Sequence, residues 1–495
     1  MIQRKKLCKA LALAVLCVMS LALYAGASDF DGIAQELKDV GLFQGTDTGF
    51  ELDRAPTRAE SAVMLVRLLG AEETAKAELE AGETAHPFTD VPEWAKAHVA
   101  WLYTNKLTNG ISETEFGSDS LCNAQMYCTF VLRALGYSDG EGGQFAYDEA
   151  VSFAAEKGVY NTAVAEGEFL RDDVVAVSYQ ALFAKVNGQE NTLLAKLIAD
   201  GAVSQTAAQP LLDKQETYAE YVAACAGFEQ ATGVDMDMTG TMNVTALGAE
   251  SVAMEISSEI KTIVTDTDVQ MEGISTVKAG EEQTETVIKQ WIKDGVMYME
   301  AEGQKIKMPM DFSEMLAAVQ QQTSSVTLAN DGLYQIDSIT AAESDEGTTY
   351  TIVLNGAVNR LLTQMLGQMG DFGEAGLDGM KFDAVSMSVL IDKEGALKTI
   401  GMQFAMTMDM TVEGEATSIA YEYDMDCTIN ALGDDVVITF PDFTGFEELT
   451  QPQPEAGDGE TVSDETLEGL VEIGPETGEG ETAQAETVDN EAAAA

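Results

Sequence analysis

The stretch Thr57-Arg58-Ala59-Glu60-Ser61-Ala62-Val63-Met64-Leu65-Val66-Arg67-Leu68-Leu69-Gly70 decides how the first third of the chain is read. Thr57 followed three residues later by Glu60 is a capping box, in which the hydroxyl and the carboxylate each satisfy a backbone N–H at a helix start. Ala59, Ala62, Val63, Val66 and Leu69 recur at three- and four-residue spacing, so the predicted helix carries one buried stripe, and Gly70 ends it. Arg58 stands at the mouth of this helix. Unpaired N–H groups and the positive end of the dipole favour an anion there, and a guanidinium adds a bidentate donor, so the combination suits a carboxylate.

Outward from this stretch the pattern repeats, over 30–70, 88–137 and 145–188. In the first copy Ile33-Ala34-Gln35-Glu36-Leu37 starts a short helix that ends near Gly41 and precedes the capped one. The second copy opens with Phe88-Thr89-Asp90-Val91-Pro92-Glu93-Trp94-Ala95 and closes at Leu135-Gly136. Asp90 is a good N-cap, Pro92 suits a first turn, and Trp94 is expected to begin a buried stripe with His98, Trp101 and Leu102. The third copy opens its second helix with Leu170-Arg171-Asp172-Asp173.

The Thr57–Glu60 signature and the Phe88–Ala95 opening resemble S-layer homology (SLH) repeats, modules that fasten bacterial surface proteins to anionic, often pyruvylated, cell-wall polysaccharide. The resemblance implies a polymer-binding set of Arg58, Glu60, Asp90, Trp94, Arg171 and Asp173. In the second copy Leu121-Cys122-Asn123-Ala124-Gln125 replaces the signature and supplies no arginine, so a groove that depends on it is in doubt there.

Residues 189–233 read as a helical connector whose job is spacing: Leu193, Leu194, Leu197 and Ile198 share one face, and Gln215 to Phe228 is a second amphipathic run. From 234 to 449 the period changes from 3.6 to 2. Met402, Phe404, Met406, Met408 and Met410 alternate with polar residues, as do Tyr421, Tyr423, Met425, Cys427 and Ile429. Further strands are predicted at Met236–Leu247, Val252–Val264, Val269–Val277, Thr284–Lys293, Val296–Ala301 and Val385–Ile391, with Lys293-Asp294-Gly295 as a hairpin turn. Phe312–Gln321 and Val358–Met369 read as helices. Long antiparallel strands with two inserted helices resemble the lipoprotein-carrier (LolA-like) half-barrels, in which one curved sheet wraps its helices. One face of these strands is rich in methionine, whose unbranched thioether adapts to irregular apolar partners. Met402, Phe404, Met406, Met408, Tyr421, Tyr423 and Met425 are the candidates for holding a hydrophobic ligand; the alternative is a core of flexible residues packed on the two helices.

The ends and the composition bound the rest. Residues 1–27 read as a secretory signal, with Arg4, Lys5, Lys6 and Lys9 before an apolar run and Ala25-Gly26-Ala27 as the cleavage site, so no membrane span is expected after cleavage. Residues 450–495 form a tail with thirteen acids and no Lys or Arg, expected to be disordered. The net charge of −57 excludes nucleic acid as a partner and repels an anionic wall, so wall attachment must be local and arginine-mediated. Only two histidines are present, His86 and His98, and no hydrolase, zinc, calcium-loop or phosphate-loop motif occurs. No catalytic residue, metal site or cofactor is therefore expected, and the protein is read as a non-enzyme. The sequence predicts a multidomain, exported surface protein of a Gram-positive-type bacterium: an all-α three-repeat domain anchored to wall polysaccharide, then an antiparallel β-rich half-barrel (α+β), displayed outward or carrying a lipid-like ligand.

Overall fold

The computed structural model describes residues 30–140, 142–160, 168–229, 231–246, 251–265, 268–279, 284–309, 332–356, 380–412 and 415–448. The signal segment, the two helices expected at Phe312–Gln321 and Val358–Met369, and the acidic tail lie outside them. No helix among the described residues is long and apolar enough to cross a membrane.

Nine α-helices are formed among the described residues: α1 (Asp31–Asp39), α2 (Arg58–Leu68), α3 (Glu72–Ala81), α4 (Lys96–Thr104), α5 (Ala124–Ala134), α6 (Ala150–Glu156), α7 (Arg171–Phe183), α8 (Leu193–Ala199) and α9 (Gln205–Glu229). The capping box is present as predicted: Glu60 N donates to Thr57 Oγ1 at 3.2 Å and Thr57 N donates to Glu60 Oε2 at 2.8 Å. The three helix pairs interlock through their loops. At the start of α2, Arg58 N and Ala59 N donate to the carbonyls of Ser120 and Ser118, in the loop before α5. At the start of α7, Arg171 N and Asp172 N donate to the carbonyls of Arg54 and Leu52, in the loop before α2. The orphan donors at the starts of α2 and α7 are thus satisfied by loops that belong to other helix pairs, so these helices are completed only together. Helices α2, α5 and α7 each touch the other two. Their contact buries Leu65, Leu68, Tyr127, Phe130, Leu132 and Tyr179 to under 2 % exposure, each large side chain contributing about 1.5–3 kcal/mol by burial.

The expected spacer of 189–233 is instead a joint. Helix α9 starts ten residues earlier than its amphipathic run implies and continues through Pro210. Its Leu211, Tyr218, Tyr221 and Cys225 belong to one continuous core with Ile33 and Leu37 of α1 and with Tyr350 and Val389 of the sheet, the Tyr221 and Tyr350 rings lying 5.7 Å apart. Its buried positions Ala208, Leu211, Lys214, Tyr218, Tyr221 and Cys225 form one stripe at three- and four-residue spacing, which holds the helix against the core while its other face meets solvent. A charged knot sits at the same place: Lys214 Nζ donates to both Glu36 oxygens at 2.9 and 3.2 Å, and Tyr179 Oη donates to Glu36 Oε2 at 2.5 Å. Burial pulls the Lys214 ammonium below its ordinary value, against Glu36, and pushes the Asp337 carboxyl of the adjoining strand up. Gly70, at a φ of +62°, ends α2 where a Cβ would fall 2.7 Å from Ala202 Cβ, so the α8–α9 turn closes directly on the first repeat.

The strands form one twelve-stranded sheet in the order β12-β6-β5-β4-β3-β2-β1-β11-β10-β9-β8-β7, antiparallel throughout except for β12 on β6. They are β1 (Gly233–Ala246), β2 (Val252–Val264), β3 (Val269–Ala279), β4 (Thr284–Lys293), β5 (Val296–Ala301), β6 (Gln304–Pro309), β7 (Ile336–Glu343), β8 (Gly347–Leu354), β9 (Met380–Asp392), β10 (Leu397–Val412), β11 (Glu415–Leu432) and β12 (Glu447–Glu448). β7 and β12 stand at opposite ends of the order, so the sheet is open. After β11 the chain fastens to the outer face of the far edge: the Phe443 ring stacks on Tyr298 at 3.7 Å, and Phe446 meets Trp291 at 6.3 Å edge-on.

Candidate functional site

Two places gather the residues singled out by the sequence. The first is the mouth of α2. Arg58 is only 6 % exposed, held between the rings of Phe116 and Phe130 at 4.9 Å each, and its Nε donates to the Phe116 carbonyl at 2.9 Å. Two flat apolar faces suit a guanidinium, which is weakly hydrated and stacks well. Among the described residues Arg58 makes no ion pair, so its terminal nitrogens are the uncommitted part of the group. Burial pulls its pKa down, yet a guanidinium stays charged. The other side of the same peptide is fixed by Asp90, which accepts from Phe116 N, Gly117 N and Ser118 N at 2.7, 2.7 and 3.0 Å. Burial would raise the Asp90 carboxyl, but these three donors hold it below the usual carboxylate range. Four residues on, Trp94 is 56 % exposed in a 3-10 turn, Glu93–Ala95. The buried stripe expected of it begins instead at His98, because the turn before α4 rotates Trp94 outward. Trp101, expected in that stripe, is half-buried.

Arg171 occupies the equivalent position at α7 and is 3 % exposed. Its Nε donates to the Phe50 carbonyl at 3.0 Å, as that of Arg58 does to Phe116 at 2.9 Å. Unlike Arg58 it faces an acid, with Glu60 Oε1 at 3.9 Å. Glu60 is held by Arg54, whose two terminal nitrogens reach it at 2.6 and 3.0 Å; burial raises its pKa, and Arg54 and the Thr57 N–H outweigh this. Asp173 is buried and accepts from Leu170 N at 2.8 Å. Glu60, Asp90 and Asp173 are therefore engaged in closing loops and helix ends, and the two arginines do not line open clefts as expected. A cleft of about 530 Å³ does open beside the first repeat, lined by Lys38, Phe43, Thr46 and Phe50 among others, and neither arginine lines it. Arg54 escaped sequence reading because its role rests on Glu60, which the capping box already explained.

The second place is the sheet face turned toward α9. Directly paired residues share a face, and the register runs Val385–Phe404–Tyr423–Met242–Met254 across β9, β10, β11, β1 and β2. Met402, Phe404, Met406, Tyr423 and Met425 are buried there, Tyr421 is half-buried, and Phe404 stacks on Tyr423 at 4.3 Å. Met408 pairs with Ile419 by register, and its side chain lies outside the described ones. From β9 through β5 the inward positions between Val385 and Val389, Met402 and Met406, Tyr421 and Ile429, Met236 and Met242, Met254 and Ile260, Met271 and Val277, Ile288 and Ile292, and Met297 and Ala301 hold no charged side chain. Asp237, Glu255, Lys278, Asp424 and Asp426 all fall on the other face by the same alternation. Within the uncharged face lie three buried polar side chains, Ser258 and Ser275 at 2 % exposure and Gln290 at 8 %. Sequence reading passed over them because single polar residues at inward positions look like ordinary interruptions of the pattern.

A helical cluster fused to one open sheet, with a methionine-lined inner face, defines an α+β protein. Residues 216–441, fewer than half of the chain, match a family described as a family of unknown function (DUF6612). That match begins inside α9, as expected if the second half of the helix belongs to the sheet's core. No curated protein matches the chain. Among solved structures, LprF from Mycobacterium bovis is 12 % identical at a TM-score of 0.25, over 47 % of this chain and 98 % of that one. A LolA superfamily protein from Nitrosomonas europaea is 10 % identical at a TM-score of 0.17, over 46 % of this chain and 98 % of the other. Likeness at these scores carries no argument about function.

Proposed function

We propose that the sheet binds a hydrophobic ligand along its inner face. The observation behind this reading is that the inward positions of the spans named above, on eight adjacent strands, hold no charged side chain in a protein of net charge −57. An extended apolar face built from methionine conforms to chains of varied shape. Its test is solvent extraction and native mass spectrometry of the full chain purified from a bacterial host: co-purifying lipid supports the reading, and a protein that binds none, natively or when offered lipid, refutes it.

The helical repeats carry a second role, attachment to an anionic cell-wall polysaccharide, for an exported protein held at the surface of a Gram-positive-type bacterium. The uncommitted edge of Arg58, stacked between two rings with the exposed Trp94 one turn beyond Asp90, favours it. A sugar ring would stack on the exposed Trp94, and a polymer carboxylate would pair with the terminal nitrogens of Arg58 only where the loops that bury this side chain open to admit it. Co-sedimentation of the full chain with purified sacculi, before and after removal of pyruvyl groups, tests this; equal binding to both would discard the carboxylate role.

A further inference from the structure

We infer that Asp337 is a proton-operated clasp at the joint: neutral, its carboxyl lets α1 and α9 close on β7, and ionised it loosens them, so the helical cluster and the sheet are held most firmly in mildly acidic surroundings. The inference depends on neither role proposed above.

A bulge puts the group in place. The pairing of β7 with β8 shifts register between Ile336 and Ser338, which face Leu354 and Val353, so Asp337 is the extra residue. A bulge re-aims a side chain, and this one turns toward α1. Gly32 makes its seat: a Cβ there would stand 2.5 Å from Asp337 Oδ1, so any larger residue on that turn would evict the carboxyl. Against α1 that oxygen is buried and has no hydrogen-bond partner among the described residues. An unpartnered buried oxygen is costly, and far more so when it carries charge. The residue as a whole is half-buried, so a proton reaches it without unfolding.

The facing cation is already committed. Lys214 Nζ of α9, at 7 % exposure, donates to both Glu36 oxygens at 2.9 and 3.2 Å, and Tyr179 Oη of α7 donates to Glu36 Oε2 at 2.5 Å. Of the elements packed around Asp337, α1 brings Glu36, α7 Tyr179 and α9 Lys214. The turn Leu333–Gln335 brings Tyr334, whose hydroxyl accepts from Gln335 Nε2 at 3.0 Å, and β8 brings Val353 and Leu354, which do not titrate. Two carboxyls thus share one ammonium where a surplus negative charge is poorly solvated. Burial raises the Asp337 carboxyl, Lys214 opposes this and Glu36 adds to it. A carboxyl raised in the folded state contributes stability that is fully present below its unfolded value near 3.8 and is lost as pH rises through the folded one.

Hydrogen–deuterium exchange of the full chain at pH 5 and pH 8, corrected for the intrinsic chemical rate, reads the opening of the joint. In the parent, the opening constant of peptides from α1, α9 and β7 should be about threefold or more larger at pH 8 than at pH 5, with no such rise in β10 and β11. Asp337→Asn, which fixes the neutral form, should bring that ratio near one. Glu36→Gln frees Lys214 for Asp337 and should also lower the ratio; being a ratio within one variant, it is not masked by general weakening, and it covers the case in which Asp337→Asn misfolds. A parent ratio near one, or an undiminished ratio in either variant, overturns the clasp.

Discussion

The helical cluster and the sheet handle charge in opposite ways. The cluster buries it: Arg58, Arg171, Asp173 and Lys214 are all under 9 % exposed, each fixed by a backbone group or an opposite charge. The sheet sorts it, sending Asp237, Glu255, Lys278, Asp424 and Asp426 of its middle strands to one face. Short helices and long loops present many orphan N–H and C=O groups, and charged side chains can satisfy them on the inside. A sheet satisfies its backbone in the ladder, so its inner face has no use for a charge and meets only the desolvation cost.

The sharpest way to break this contrast is to put an acid on the sorted face. Met242, fully buried between Tyr423 and Met254, changed to Asp should destabilise the protein by about 3–5 kcal/mol or abolish folding, whereas Thr241→Asp, one residue away on the exposed outer face, should cost only about 0.5–2 kcal/mol by urea denaturation, from the like charges of Asp424 and Glu255 directly opposite. Similar losses for the two would mean that the faces are not segregated. At the joint, Lys214→Met leaves Glu36 and Asp337 without their cation and should cost about 1–3 kcal/mol; adding Glu36→Leu should recover part of it. A two-step melt in the single variant, absent in the parent, would mark the joint as what couples the two regions.

At the helix mouths, Arg58→Met should abolish sacculus binding while lowering stability by about 1–2 kcal/mol, since the stacked stem is kept and the bond to Phe116 is lost. Arg171→Met should cost comparable stability with little effect on binding, because its charge already faces Glu60. The reverse pattern would relocate the polymer site. pH separates the regions further. Burial lowers the pKa of both His98 and His86, so the folded chain binds fewer protons than the unfolded one, and stability should fall as pH drops through about 6.5. Glu72, bonded to Arg67 and lowered to about 2, stabilises the chain above its unfolded value near 4.5 and loses that contribution as pH falls from there toward about 2. All three groups lie in the helical region, so the acid loss of midpoint should shrink in His98→Gln and be unaffected by Thr241→Asp. The smallest expected effect on stability is that of Trp94→Ala, under about 0.5 kcal/mol, with a clear loss of sacculus retention.

Much of the sheet was legible in the chain itself. Val252–Val264, Thr284–Lys293 and Val296–Ala301 match β2, β4 and β5 at both ends, because strict alternation bounded by turn residues leaves no other register. β6, β7 and β8 were not foreseen: β6 and β7 are mostly exposed, so the alternation that marks a strand is weak in them. The capping box at Thr57 and Glu60 was readable because it is local. What Arg58 and Arg171 do was not, since Phe116 and Phe50 lie 58 and 121 residues away from them and no periodicity reports such a bond. Helix α3 and the true start of α9 were missed for opposite reasons, one too polar to show a stripe and the other crossing a proline that normally signals a stop.

Helix α9 also bears on mechanics. With one core running from α1 through Tyr221 to Tyr350, the two halves cannot swivel independently as beads on a string would. A pull applied to the helical half would be transmitted through the packed aromatic rings into the strands, so load on one half would be felt as torque in the other rather than taken up by slack between them.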